Sequence, residues 1–336
     1  MLEILKKLCQ VNSVSGNDAV TGLICDMAKP YATDIYKDNL GNLICFKKGI
    51  DCGKKIMVAT HHDEVGFIVK SITSDGFIKF DAVGGIDPRI LPSSNVVLEK
   101  NDVAGVIGQK AVHLQSDKDR KKAAEISQLY IDIGADTKKD AESLVTKGDY
   151  AAFESEYILF GKNRIKAKAL DDRAGCAIMI ELIKQKLKYD TVFVFTVGEE
   201  VGLRGAIPAA FAVKAHVAII AETTTAADFG QTKGHNRVCG LGNGAVVPFM
   251  DGGSYYDKEL YNMAGSIAKE KNIKIQTKTC IAGGNDSAAL QRSGIGAKVL
   301  AVSVPVRNIH TMSTVADMDD IRDCYRLIKE LIEKEF

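Results

Sequence analysis

The chain has 336 residues, with 44 Lys and Arg against 43 Asp and Glu, a formal charge of +1, 46% apolar residues and no Trp. This length allows one large or two ordinary domains around a sizeable core. The near-perfect charge balance gives no footprint for a phosphate backbone or an anionic bilayer, so neither nucleic acid nor membrane is an expected partner.

In chain order, Met1 to Leu8 reads as the charged start of an amphipathic helix, not as a secretory signal, and no stretch approaches membrane-spanning length. Helices are expected over 2–10 and 17–27, followed by a strand over Lys55–Thr60 that runs into a histidine pair. From 70 to 166 the pattern changes to short apolar runs at 77–80, 96–98, 103–107, 129–133 and 157–160, separated by Gly, Asp, Asn and Ser. Little helix is expected there beyond 121–126 and 138–145. After Leu170 a helix over 173–186 leads to a long apolar strand over 191–197. Strands at 216–221, 244–250, 273–278 and 297–303 then alternate with helices at 255–271, 286–293 and 318–334. This alternation predicts an α/β domain, a mixed sheet flanked by helices, built from residues 1–69 and 167–336 and interrupted by a small β-rich domain at 70–166. Eight scattered cysteines form no CxxC pair, which points to a reducing cytoplasm and away from a thiolate zinc site.

Acidic and histidine residues gather where these strands end: His61-His62-Asp63-Glu64, Asp171-Asp172, Glu199-Glu200, Glu222 and His310. The carboxyl edge of an open α/β sheet is where ligands bind. Singly, each would ordinarily be a solvated strand end, but five such ends each offer a ligand type. Imidazole with carboxylate and no thiolate suits zinc, cobalt or manganese, and a carboxylate can bridge two ions. A further carboxylate must then accept the proton of the attacking water, and Glu199 is the natural candidate. His113, His216 and His235 read as surface or packing residues. Gly240–Gly244 reads as a turn, since it precedes a strand where a phosphate loop would open a helix. In the loop Gly283–Ser287, capping by Asn285 or Asp286 is favoured over a substrate-binding helix terminus.

The segments Thr60–Gly66, Gly84-Gly85-Ile86-Asp87-Pro88-Arg89, Gly105–Gly108, Ile131–Ala135, Ala169–Cys176, Glu199-Glu200-Val201-Gly202-Leu203-Arg204-Gly205-Ala206 and Pro305–His310 resemble, in order, the tetrahedral aminopeptidase family. That family includes glutamyl, leucyl and lysyl aminopeptidases and proteins labelled endoglucanase M. The resemblance implies that His61 and Glu222 bind one metal, Glu200 and His310 a second, and that Asp171 bridges them. It also implies that Glu199 is the base acting on a metal-bridging water, that Asp63 orients His61, and that residues 70–166 form a dimerisation domain. Zinc or cobalt is the expected metal, with manganese admitted. The expected activity is removal of N-terminal residues from short peptides by a cytoplasmic homo-oligomer, a dimer or a tetrahedral dodecamer. Carboxypeptidase or N-acyl amino acid deacylase activity on the same framework is the alternative, and an endoglucanase, lacking any Trp to stack on sugars, is a more distant one. Three positions depart from the family pattern: Glu222 for Asp, Gly198 for Gln, and His62 for an apolar residue. His62 is expected to point away from its neighbour His61 in the strand and to serve a structural or substrate-side role.

Overall fold

The computed structural model describes residues 1–117 and 119–335, with the side chains at 52–54, 119 and 235 left out. The chain opens with α1 (Leu2–Cys9), α2 (Ala19–Ala28), β1 (Asp34–Lys37), β2 (Leu43–Lys47) and β3 (Asp51–His61). It then forms β4 (Gly66–Ile72), β5 (Ile78–Val83), β6 (Asn95–Leu98), β7 (Val103–Gly108), β8 (Tyr130–Asp132), α3 (Lys138–Leu144) and β9 (Tyr150–Phe153). Next come β10 (Ile158–Phe160), β11 (Arg164–Ala167), α4 (Leu170–Ile183), β12 (Tyr189–Thr196), α5 (Ala206–Val213) and β13 (Val217–Thr225). The last third contains β14 (Ala245–Val246), α6 (Lys258–Glu270), β15 (Ile275–Gln276), α7 (Ser287–Arg292), β16 (Lys298–Arg307), β17 (Thr314–Asp317) and α8 (Met318–Ile332).

Among the described residues these strands make two sheets. A mixed sheet runs β1-β2-β12-β3-β13-β16-β17-β11-β10, and β4-β5-β8-β7-β6-β9 close into a barrel. In the large sheet β12, β3, β13 and β16 are neighbours and all parallel, so their carboxyl ends share one edge. Ile56 to Thr60 and Val217 to Thr224 are buried without alternation, as expected of strands covered on both faces. Thirteen of the fourteen residues of α4 are buried, and beyond its charged first turn the helix is apolar almost all round, as befits one inside the layers. α8 instead buries Ile321, Cys324, Leu327, Ile328 and Leu331, the spacing of one helical stripe, behind an Asp317 cap that accepts the Asp319 N–H. The barrel has its own core, with Phe67 edge-on to Phe80 and Phe153 at centroid separations of 5.1 and 5.0 Å. No described helix is long and apolar enough to cross a membrane.

Two segments differ from the sequence expectation. The run 157–160, read as part of the β insert, pairs with β11 at the edge of the large sheet, because the Gly161 turn folds it back on Arg164–Lys166. The helix expected at 121–126 is absent; only 3-10 turns form, at Asp119–Lys121 and Ile126–Gln128. Its exposed, basic residues have no apolar stripe to bury, and short helices without one are not stable. The seven described cysteines are free.

Candidate active site

The topology brings the candidate residues together. His61 is the last residue of β3, Glu199 and Glu200 follow β12, Glu222 lies within β13, and His310 follows β16; these are the four adjacent parallel strands. Asp171 enters from the start of α4, which packs against β3 and β13. Its two oxygens face two different imidazoles. Asp171 Oδ1 lies 3.3 Å from His61 Nε2, and Oδ2 lies 3.2 Å from His310 Nε2. Glu222 Oε1 is 3.6 Å from His61 Nε2, and Glu200 Oε1 is 3.2 Å from His310 Nε2. The two trios, His61–Asp171–Glu222 and Asp171–Glu200–His310, each keep their ligand atoms within 4.8 Å of one another, as do His61, Glu199 and Glu200.

The outer ring nitrogens decide how these imidazoles are presented. His61 Nδ1 is 3.1 Å from the carbonyl oxygen of Asp63, and His310 Nδ1 is 2.7 Å from that of Gly85. A carbonyl only accepts, so each Nδ1 carries a hydrogen and each Nε2 is left facing carboxylate oxygens. Lone pairs facing carboxylates repel unless a cation, or a proton, stands between them. The buried Oε2 of Glu222 has no hydrogen-bond partner at all. Asp171, Glu199, Glu200 and Glu222 crowd this end of the cleft, and such a concentration of buried negative charge requires positive charge. The donor set therefore fits divalent cations.

Protonation equilibria show the same frustration. Burial pushes Glu199 up to about 10, with Glu222, Asp286 and Glu200 adding to the rise and His61 opposing it. Burial also lifts Glu222 to about 7. Burial alone would lower His310, but pairing with Asp171 and Glu200 outweighs it and drives the ring up to about 11. Protons occupy the places where cations would neutralise the cluster.

Neighbouring groups fix the ligands. Thr223 Oγ1 donates to Asp171 Oδ1 at 2.8 Å, and the Thr223 N–H donates to Glu222 Oε1 at 3.0 Å. The Asp63 carboxylate lies 3.6 Å from His61 Nδ1, farther than its own carbonyl. That carboxylate is engaged elsewhere, accepting Ser15 Oγ at 2.5 Å and the N–H groups of Glu199 and Glu200 at 3.2 and 3.4 Å. Asp63 thus ties the His61 strand end to the Glu199–Glu200 loop. The Gly84-Gly85 turn comes from the barrel side. Gly84 has φ +86°, and a Cβ there would stand 2.7 Å from Val65 and 3.4 Å from the Glu200 Cβ, so only glycine brings the Gly85 carbonyl to His310 without displacing them.

A family model described as M42 glutamyl aminopeptidase matches residues 41–327. The chain belongs to the M42 family. It is 31% identical to the lysyl aminopeptidase of Pyrococcus furiosus, over 99% of this chain and 96% of that one. Its fold superposes on an aminopeptidase from the archaeon Desulfurococcus kamchatkensis with a TM-score of 0.95 at 32% identity, covering 99% and 94% of the two chains. It matches the Pyrococcus horikoshii TET1 peptidase, which assembles into a tetrahedron or a large octahedral shell, with a TM-score of 0.87 at 33% identity over 100% and 99%. This M42 chain is a peptide hydrolase, an aminopeptidase, and M42 enzymes are metallopeptidases.

The remaining sequence candidates fall outside the cluster. In the M42 chain, His62 points away, its Nε2 3.2 Å from Thr21 Oγ1, and burial pushes it down to about 4. His113 and His216 are exposed, and the side chain of His235 lies outside the described residues. The Gly242 and Gly244 N–H groups close on the Asp320 carboxylate at 2.7 Å each, an internal anion in the turn. Asn285 Oδ1 caps α7 through the Ser287 N–H, while Asp286 spends one oxygen on Thr196 Oγ1 at 2.5 Å. Thr223, Ser15 and the Gly85 carbonyl carry no ligand signature in the sequence; only the Gly-Gly motif hints at the last.

Proposed function

We propose that this aminopeptidase removes N-terminal residues from short peptides with two divalent cations, one held by His61, Glu222 and Asp171 and the other by Glu200, His310 and Asp171. Zinc or cobalt suits this donor set best, and manganese is compatible with it. The observation that carries the reading is Asp171, whose two oxygens each face the Nε2 of a different imidazole. When bound, such cations act as Lewis acids on a carbonyl and on water. Glu199 lines the same cleft as His61, Asp171, Glu200, Glu222 and His310. Its carboxylate takes the proton of the attacking water and returns it to the leaving amine. Asp63 holds the Glu199 N–H, and so keeps the base aimed into the cleft.

The same framework could serve a carboxypeptidase or an N-acyl deacylase. Leucyl and glutamyl anilides, N-acetylated leucine and glutamate, and an N-acetylated dipeptide with a free carboxyl terminus separate these readings. Turnover confined to free amines, lost with a chelator and restored by zinc or cobalt, supports the proposal; turnover of the acetylated forms alone rejects it.

We also propose that the inserted barrel, β4 to β9, which the sequence places within 70–166, serves as a dimerisation domain and that the enzyme is a homo-oligomer, by analogy with the shells of the Pyrococcus horikoshii TET1 peptidase. Free thiols suit a cytoplasmic location.

A further inference from the structure

The cleft, of about 290 Å³, is lined by the carboxylate and imidazole cluster and also by Asp251, Tyr256 and residues 282–285. In that second group the hydrogen bonds run in one direction. The Ser287 N–H can only donate, so its partner at 2.9 Å is fixed as Asn285 Oδ1, and Nδ2 is the other end of the amide. Nδ2 lies 3.3 Å from the Tyr256 hydroxyl, which gives its own hydrogen to Asp251 Oδ2 and therefore accepts here. Asp251 ends the chain, and its Oδ1 also accepts the N–H groups of Gly253 and Ser254. The amide of Asn285 is thus held at both ends. Its nitrogen carries a second hydrogen, and among the described residues nothing accepts it. Asn285 is 6% exposed, so that hydrogen has little water to turn to and its desolvation is uncompensated until a ligand arrives.

We propose that Asn285 is a catalytic residue that donates this hydrogen to the oxygen of the scissile carbonyl. The inference rests on the aminopeptidase reading above. The α-amino group of the peptide is drawn to the acidic cluster, and the scissile carbonyl follows one carbon later. Its oxygen gains negative charge as water adds, in a cleft that already holds Asp171, Glu199, Glu200 and Glu222. A donor there stabilises the transition state more than the bound substrate. The loop is also tied to the base. Asp286, next in the chain, meets Thr196 Oγ1 at 2.5 Å, at the end of the strand that Glu199 follows, and its charge is among those that raise Glu199. An amide fixed by Ser287 and Tyr256 loses little freedom when it bonds, unlike a rotating hydroxyl. Capping α7 and holding the substrate are then tasks of the two ends of one side chain.

The test uses the metal-loaded enzyme and two variants. Asn285→Ser keeps an oxygen for the Ser287 N–H but is too short to bring a donor to the same place, and Asn285→Asp keeps the shape but replaces the donor with an acceptor. The substrate is the best-cleaved aminoacyl-p-nitroanilide, whose only amide carbonyl is the scissile one. Each variant lowers kcat about 10²-fold, the low end for one oxyanion donor, with KM within about threefold of wild type. Calorimetry then compares two ligands with the same side chain: the α-aminophosphonic acid, which mimics the tetrahedral intermediate, and the corresponding amine, which has no such oxygen. Asn285→Ser weakens the phosphonic acid about 10–100-fold and leaves the amine within about twofold. The calorimetric stoichiometry corrects kcat for incomplete folding of a variant. A kcat within about threefold of wild type in either variant overturns the proposal. Equal weakening of both ligands, the mark of a loop merely loosened, does so as well. Absence of turnover on every free-amine substrate would reject the aminopeptidase reading instead.

Discussion

Beside the site, Glu64 is a single buried carboxylate serving two buried cations. Lys168 Nζ lies 2.7 Å from both of its oxygens and Arg173 Nη2 lies 3.5 Å from Oε1, with side-chain exposures of 4% for Glu64 and Lys168 and 0% for Arg173. The same Oε1 accepts the Ser13 N–H at 2.8 Å, and Arg173 Nη1 donates to the Leu8 carbonyl at 2.7 Å, so the cluster pins the N-terminal segment to the metal face. Breaking a buried pair costs roughly 3–5 kcal/mol, mostly through the charge left behind. Glu64→Gln leaves two cations with no anion and should reach the top of that range, about 5 kcal/mol. Lys168→Met leaves Glu64 neutralised by Arg173 and should cost about 2–3 kcal/mol, below the range for an unpaired charge. Urea unfolding at one fixed subunit concentration measures both, because assembly would otherwise shift the midpoints. A pH series checks the pair further. Burial outweighs the pull of Glu64 and holds Lys168 below the ordinary lysine value of 10.5. The folded chain therefore releases this proton at lower pH than the unfolded chain, and wild-type stability rises relative to Lys168→Met as pH climbs toward 10.5. Equal costs, a reversed order, or losses under about 1 kcal/mol in both would refute the reasoning.

Replacing the proposed base, Glu199→Gln, lowers kcat by about 10²–10⁴ while metal content per subunit, read by elemental analysis, stays at the wild-type level. Gly84→Ala forces a left-handed alanine against Val65, costs about 1–2 kcal/mol, and loosens the Gly85 carbonyl on His310. Its metal affinity, from competition with a chelator, should fall about 10–100-fold, the usual effect of losing a group that orients a ligand. Asp63→Asn presents an amide NH₂ to backbone donors that now meet a carboxylate, and thermal unfolding should show a loss of about 1.5–3 kcal/mol. If Asp63→Asn unfolds like wild type, the carboxylate does not hold the Glu199–Glu200 loop.

The ligand types at strand ends were legible because carboxylates and histidines break otherwise apolar runs. Their convergence was not, since β12, β3, β13 and β16 are adjacent in an order unlike their order in the chain. Local periodicity carries no information on pairing between segments more than a hundred residues apart. For the same reason β10, with its exposed Ile158, Leu159 and Phe160, looked like another strand of the insert. The orientation of His310 depends on a main-chain oxygen, and any residue type supplies one, so Gly85 could be noticed only through its motif. Asp63 was visible as a partner of His61, but its bonds to the Glu199 and Glu200 amides depend on a loop from the neighbouring strand. In the sequence Glu222 reads as ending its strand, whereas β13 continues to Thr225, because threonines have high strand propensity and prolong the pairing with β16.

The most direct test is anomalous diffraction from crystals of the cobalt-loaded protein. The account predicts two peaks per subunit, one on either side of Asp171, the first also against His61 and Glu222 and the second against Glu200 and His310. A single peak, or cobalt bound away from Asp171, contradicts it.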